Sequence, residues 1–339
     1  MVRLADLIRN KPAGAVLASH GKMPGGSPAP PVRAAAGNVP AAAAPPAGAA
    51  RELADGARTL VDKTLATLRA GGRLDLAPLA QTASALVASL EVDDALLAIA
   101  LDPRPSGGDL ARHMVNVAIF ALKIGMSAGR PREELAAVAL AGLVHDVGLL
   151  ALPATLAEKA GNLSSEEIEL LRQHPEKGAS ILRAAGPEYH WLATLVAQEH
   201  EREDGSGYPK GLRGDEIQAL AKLLGIADAY ESLTHPRPFR RRVSPLDAVK
   251  EIITSERRAF PDWALKALIR GLSTFPVGSL VRLNSKEIGR VVGTNPAYPL
   301  RPVVEMVAGP SGEPLTSQRV VDLSQNSLLH ITDSYAAEE

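Results

Sequence analysis

A mainly α-helical protein with a small antiparallel β unit at its C-terminal end is predicted by three observations. From about Arg51 to Gly271, apolar residues recur every three or four positions, the period of amphipathic helices packed on one another. After Pro276 the texture changes to short β-branched runs separated by Gly and Pro. The 339 residues are 46% apolar but only 3% aromatic, so a sizeable core has to be built from Ala, Leu, Val and Ile.

The elements follow in chain order. Gly21–Ala50 is dominated by Ala, Pro and Gly; proline cannot sit in helix interiors and little there could form a core, so residues 1–50 are predicted to be a disordered tail or tether. Residues 51–272 form the helical domain. Its loops are marked by Pro and Gly at Asp102–Gly108 and Gly205–Gly214, and Ser164 with Glu167 has capping-box spacing ahead of an apolar-periodic run. Residues 273–339 form the β-rich extension, with strands predicted at Leu280–Leu283, Arg290–Val292, Val303–Val307 and Arg319–Leu323.

Composition narrows the function classes. A net charge of −1 offers no bulk attraction to nucleic acid or membrane surfaces. Without cysteine, the chain has no disulfide framework, zinc–thiolate site, iron–sulfur cluster or cysteine nucleophile. The first residues carry charges where a signal peptide needs an apolar stretch, and the most apolar run, Leu135–Leu152, is interrupted by His145 and Asp146. A cytoplasmic protein is expected.

The informative pattern is where polar residues fall on apolar faces. Around 109–124 the stripe is Asp109, His113, Asn116, Val117, Phe120 and Ile124. Around 135–150 it is Leu135, Val138, Ala139, Gly142, Asp146 and Leu149, flanked by His145. A third stripe, Leu192, Leu195 and Val196, runs into Glu199 and His200, and a fourth, Leu220, Ala221 and Leu224, reaches Asp228. Buried carboxylates demand partners, and Arg and Lys are scarce on these faces. Metal cations would satisfy them, since carboxylates and neutral imidazoles are metal ligands. With His174 at a helix break before Pro175, the candidate set is His113, His145, Asp146, His174, Glu199, His200 and Asp228. Glu199 has a second reading, a core-edge carboxylate paired with Arg202. His20, His190, His235 and His330 read as ordinary core or surface histidines.

Three strings carry a family resemblance: His145-Asp146-Val147-Gly148; His174-Pro175-Glu176-Lys177-Gly178; and Glu199-His200-Glu201 followed by Asp204-Gly205-Ser206-Gly207-Tyr208-Pro209. With Ala227-Asp228-Ala229-Tyr230 and Arg237-Pro238-Phe239-Arg240, they resemble an HD-GYP domain over roughly Arg51–Leu272. The resemblance implies an HD-type helical bundle acting as a metal-dependent cyclic di-GMP phosphodiesterase that yields pGpG or GMP. It implies one metal held by His113, His145, Asp146 and Asp228, with Asp146 bridging to a second held by His174, Glu199 and His200. Asp109 occupies the place of a third-metal ligand, and His145 and Asp146 carry the catalysis. Asp204, Gly205, Gly207, Tyr208, Pro209, Arg237 and Arg240 would frame the substrate. Divalent iron or manganese suits a nitrogen and oxygen ligand set without sulfur. Cyclic di-GMP, GGDEF-type diguanylate cyclases and a second copy of the chain are the expected partners.

Two positions depart from the family pattern. Leu149 stands where the family usually has a Lys that contacts the substrate phosphate, and Glu199 where it usually has His. These departures keep two alternatives in view: a module that binds nucleotide or a signalling partner without turnover, and a hydrolase for another phosphoester. On a helix, His145 and Asp146 are expected to point about 100° apart, so that the imidazole serves one metal and the carboxylate reaches between two.

Overall fold

The computed structural model describes residues 48–102, 110–153, 156, 163–235, 243–272, 275, 279–295, 298 and 300–335. Asp109, Arg237, Arg240 and tail residues 1–47 lie outside the described residues. The architecture is mainly α-helical with a small antiparallel C-terminal sheet.

Helix α1 (Ala49–Arg69) takes in the last two residues of the predicted tail and buries Ala54, Ala57, Val61 and Leu65, a stripe at three- and four-residue spacing. Helices α2 (Ala77–Val92) and α3 (Ala95–Ala100) follow. Helix α4 (Leu110–Ser127) is buried around nearly its whole circumference and is the axis of the bundle. Packed on α4 are α1, α5 (Arg132–Val144), α9 (Ala219–Thr234) and α11 (Asp262–Gly271). Between them run α6 (Ser165–Leu171), α7 (His174–Ala185), α8 (His190–Ala197) and α10 (Pro245–Ser255). The capping box predicted at Ser164 is formed, with Glu167 N–H donating to the Ser164 hydroxyl and Ser164 N–H to the Glu167 carboxylate.

Two predicted helix ends are corrected. The helix expected to run through Leu150 stops at Val144 and tightens into a 3₁₀ turn over His145–Ala151. Gly148 explains the tightening: a Cβ there would stand 1.9 Å from the His174 carbonyl oxygen, so the turn is pressed onto the start of α7. Successive side chains on a 3₁₀ turn diverge by about 120° rather than 100°. The helix expected to end at His200 stops at Ala197, and i→i+3 bonds from Glu199 N–H to Val196 O and from Glu201 N–H to Gln198 O carry the chain onward.

The sheet has the order β4-β3-β2-β1-β5, all antiparallel. Its strands are β1 (Leu280–Leu283), β2 (Ile288–Gly293), β3 (Val303–Ala308), β4 (Pro314–Asp322) and β5 (Ile331–Tyr335). The first three contain the predicted runs, and β4 takes in the fourth as far as Asp322, leaving out Leu323. The fifth was not predicted, because Ile-Thr-Asp-Ser-Tyr lacks an apolar alternation; pairing with β1 makes it a strand. Val281, Leu283, Val291, Val304 and Met306 point to one face and enclose Phe275, Leu323 and Leu246 of α10, a second small core joined to the bundle. Among the described residues one segment, Arg132–Ala151, is long and apolar enough to cross a membrane, but most of it is buried within the protein, as befits a core helix.

Candidate metal centre

The seven candidate residues, six from apolar periodicity and His174 from a helix break, converge at one place, all of them buried. Five local devices bring them there. His113 lies inside α4, His145 and Asp146 open the 3₁₀ turn, His174 begins α7, Glu199 and His200 lie in the turn after α8, and Asp228 is on α9. Two groups of potential ligands result: His113, His145 and Asp146, and His174, Glu199 and His200.

In the first group, His113 Nε2 lies 3.1 Å from His145 Nε2, 3.3 Å from Asp228 Oδ1 and 3.5 Å from Asp146 Oδ2. In the second, Glu199 Oε1 lies 2.9 Å from His200 Nε2 and 3.1 Å from His174 Nε2, with the two imidazole nitrogens 3.1 Å apart. Asp146 joins the groups: its Oδ2 faces His113 and His145, and its Oδ1 is 3.4 Å from His174 Nε2.

Protons can be placed from the partners. A carbonyl oxygen only accepts, so His145 Nδ1, 2.9 Å from Gly142 O, and His174 Nδ1, 2.9 Å from Leu171 O, both carry hydrogen. The Nε2 atoms of the neutral rings are then bare lone pairs. His113 Nδ1 is 2.8 Å from Glu231 Oε2, which puts its lone pair on Nε2 as well. Lone pairs therefore face one another and face carboxylates, an arrangement that repels itself unless protons or cations sit among them. Glu199 Oε2 is buried with no hydrogen-bond partner among the described residues, on a side chain with no exposed surface. This donor set fits divalent cations.

Burial would lower the His174 imidazole, but the Glu199 and Asp146 carboxylates outweigh it and raise it above its ordinary value, so without cations a shared proton offsets the facing lone pairs. Burial would raise the Asp146 carboxyl, but the imidazoles of His145, His113 and His174 outweigh it and hold it well below the usual carboxylate range. Burial acts on Glu199 in the same sense and is overcome by His145, His200 and His174, leaving it at about 2. Asp228 is likewise driven down, against burial, by His113, His200 and His145. All three are anions at neutral pH.

The Asp204–Pro209 loop needs its glycines as expected. Gly205 has a φ of 75°, and a Cβ on Gly207 would meet the His200 carbonyl oxygen at 2.4 Å. Asp204 is exposed, and its carboxylate accepts from Ser206 N–H at 3.0 Å, shaping the turn. Tyr208 is buried, its ring stacked on His200 at 4.8 Å with the Arg172 guanidinium 5.6 Å from the ring centre. Burial pushes the Tyr208 hydroxyl well above its ordinary range, so it stays protonated. Pro209 is exposed.

Several residues were not foreseen. Glu231 sits three positions after Asp228 on the same face of α9, so helical spacing alone could have found it. Glu201 accepts from Lys210 N–H at 2.7 Å and Leu212 N–H at 2.8 Å, tying the loop to the turn that carries His200. Arg202, read as a partner for the Glu199 carboxylate, instead donates to the backbone carbonyls of Glu199 and Glu201. Leu149 packs between the main core and a smaller apolar cluster that includes Leu156, Leu163, Leu171 and Tyr208.

Residues 96–262 match the family model of the HD domain, and residues 280–339 that of a KOW domain associated with the HD domain. The chain is 30% identical over 260 residues to a cyclic di-GMP phosphodiesterase of Pseudomonas aeruginosa, across 76% of this chain and 62% of that protein. It is 31% identical over 178 residues to the cyclic di-GMP phosphodiesterase response regulator RpfG of Xanthomonas campestris pv. campestris, across 52% and 46%. A 3'3'-cGAMP-specific phosphodiesterase of Vibrio cholerae is 32% identical over 145 residues, across 43% and 33%. The chain thus spans less than two thirds of the length of these curated relatives. Among solved structures, an HDGYP protein from Bdellovibrio bacteriovorus shares the fold, with a TM-score of 0.54 at 19% identity over 65% of this chain and 70% of that one. The chain therefore contains an HD domain, followed by the KOW domain associated with it.

Proposed function

We propose that this chain is a metal-dependent phosphodiesterase that hydrolyses cyclic di-GMP to pGpG or GMP in the cytoplasm. The observation that carries the reading is Asp146, whose two oxygens divide between two buried groups of ligands. Two divalent cations, iron or manganese, would be held by His113, His145, Asp146 and Asp228 on one side and by Asp146, His174, Glu199 and His200 on the other. Cations so placed neutralise phosphate oxygens, acidify a water and orient it in line with the leaving oxygen.

The chain's own groups prepare that site. Three carboxylates stay ionised, and His113, His145 and His174 present Nε2 because their Nδ1 atoms face acceptors elsewhere. Glu199 brings a negative charge where a neutral imidazole is usual, which favours cation binding at the cost of a less acidic water. Tyr208 is held protonated beside His200 and can donate a hydrogen bond to a phosphate oxygen. Arg237 and Arg240 are proposed to meet guanine or phosphate through their planar forks. Asp109 is retained as a ligand for a third cation, and GGDEF-type cyclases and a second copy of the chain as partners. Names of relatives support a cyclic dinucleotide as the substrate class.

A second reading, nucleotide binding without turnover, is favoured by Leu149, which offers an apolar side chain where a phosphate would gain from a cation. One assay separates the two: protein purified without oxygen, loaded with Fe(II) or Mn(II), incubated with cyclic di-GMP, with products resolved by chromatography. Metal-dependent pGpG or GMP supports the enzyme. Bound metal with bound but intact nucleotide supports the binding module, and hydrolysis of only another cyclic dinucleotide would reassign the substrate.

A further inference from the structure

His113 differs from His145 and His174 in what faces its Nδ1. His145 and His174 each sit at a turn and donate to a backbone carbonyl three residues earlier. His113 lies inside α4, where the carbonyls are committed to the helix, so a side chain has to accept instead. Glu231 of α9 is placed for this, with Oε2 2.8 Å from Nδ1.

Behind Glu231 stands His235, at the C-terminal end of α9 and buried. Asn116 Nδ2, one turn along α4 from His113, lies 3.3 Å from His235 Nε2 and donates to it. The His235 proton is therefore on Nδ1, which is 3.3 Å from the Glu231 carbonyl, 3.2 Å from Thr234 Oγ1 and 3.7 Å from Glu231 Oε1. Thr234 Oγ1 spends its own proton on Tyr230 O at 3.0 Å and is free to accept. The ring is also covered by Phe120, with centres 6.3 Å apart. One chain of contacts thus leaves α4 at Asn116, crosses α9 through His235 and Glu231, and returns to α4 at His113.

We propose that His235 is a positioning residue of the metal centre: held by Asn116, it orients Glu231 so that His113 keeps its proton on Nδ1 and presents Nε2 to a cation. The inference rests on the metal centre proposed above. Partners of this kind fix the tautomer of a ligating histidine and are commonly worth 10- to 100-fold in metal affinity.

The test is Co(II) titration of chelator-stripped full-length protein, read as dissociation constants and as the visible absorption of bound Co(II), with melting temperatures of the metal-free forms alongside. His113→Ala should lose one of the two cobalt ions, and Glu231→Ala should weaken that site by about 10- to 100-fold. His235→Ala is expected to weaken the same site by about tenfold and to shift the absorption, since the field at His113 changes. His235→Asn, which keeps a donor near the Nδ1 position, should restore most of the affinity. Where His235→Ala proves too unstable to load, His235→Phe fills the space without a donor and is read in the same way. Wild-type affinity and spectrum in His235→Ala or His235→Phe would overturn the proposal. So would equal losses in His235→Asn and His235→Ala, which would make His235 mere packing. Failure of the wild type to bind Co(II) would instead remove the metal centre itself, and the positioning role with it.

Discussion

Asp146 and Glu199 carry the clearest consequences for single residues. Asp146→Asn keeps the volume but loses one anionic oxygen, and with it the link between the two ligand groups. Metal content measured by elemental analysis should fall from two ions to one or none, and turnover by more than about 100-fold, since even partners outside the ligand set are worth that much. Acid should act on the two forms of the protein in different pH ranges. With metal bound, the carboxylates are already ionised, so protons compete at the imidazoles, and metal affinity should weaken progressively as pH falls below neutrality. Without metal, Glu199 stands at about 2 against an ordinary value of 4.5. Its contribution to stability is then fully present above 4.5 and is lost as pH falls toward 2. Urea midpoints of chelator-treated protein should decline over that window, and Glu199→Gln should remove its share of the decline. Leu149→Lys probes the departure from the family pattern. A lower KM or a higher turnover, by at most about 100-fold, the worth of one charge-assisted contact, is expected if Leu149 borders the substrate.

At the scale of elements, the site is made by how helices end. Apolar periodicity located His113, His145, Asp146, Glu199, His200 and Asp228 because it reports which face is buried, and that held. It did not report that α5 stops at Val144 or α8 at Ala197, because those ends are set by contacts with other elements. The 3₁₀ turn exists where Gly148 lets its backbone touch the first residue of α7. Gly148→Ala places a methyl group against the His174 carbonyl, so turn and helix must separate. A loss of about 3 kcal/mol in denaturant unfolding is expected, with metal affinity falling as His145 and His174 move apart. Capping at Ser164 was legible because it is local; Ser164→Ala should cost about 1 kcal/mol with little effect on metal binding.

For the whole molecule, α4 and α9 form a buried frame that brings candidate ligands from three other segments to one point, so metal binding there would be coupled to folding. Loading with metal at 100 to 1,000 times its dissociation constant should stabilise the fold by about 3–4 kcal/mol, seen by calorimetry as a higher melting temperature that chelator reverses. The sequence by itself determined the helical class, the change to β structure after Pro276, the inward-facing ligand set and the family resemblance. Each of these depends on local spacing or on short contiguous strings. Only the tertiary structure decided that Asp146 stands between the two groups, that Glu231 and His235 back His113, that Arg202 serves backbone rather than carboxylate, and that Ile331–Tyr335 pairs as a fifth strand. The reason is physical: periodicity tells which side of an element is buried, whereas a distance between side chains from α4, α7 and α9 is fixed only once those helices pack.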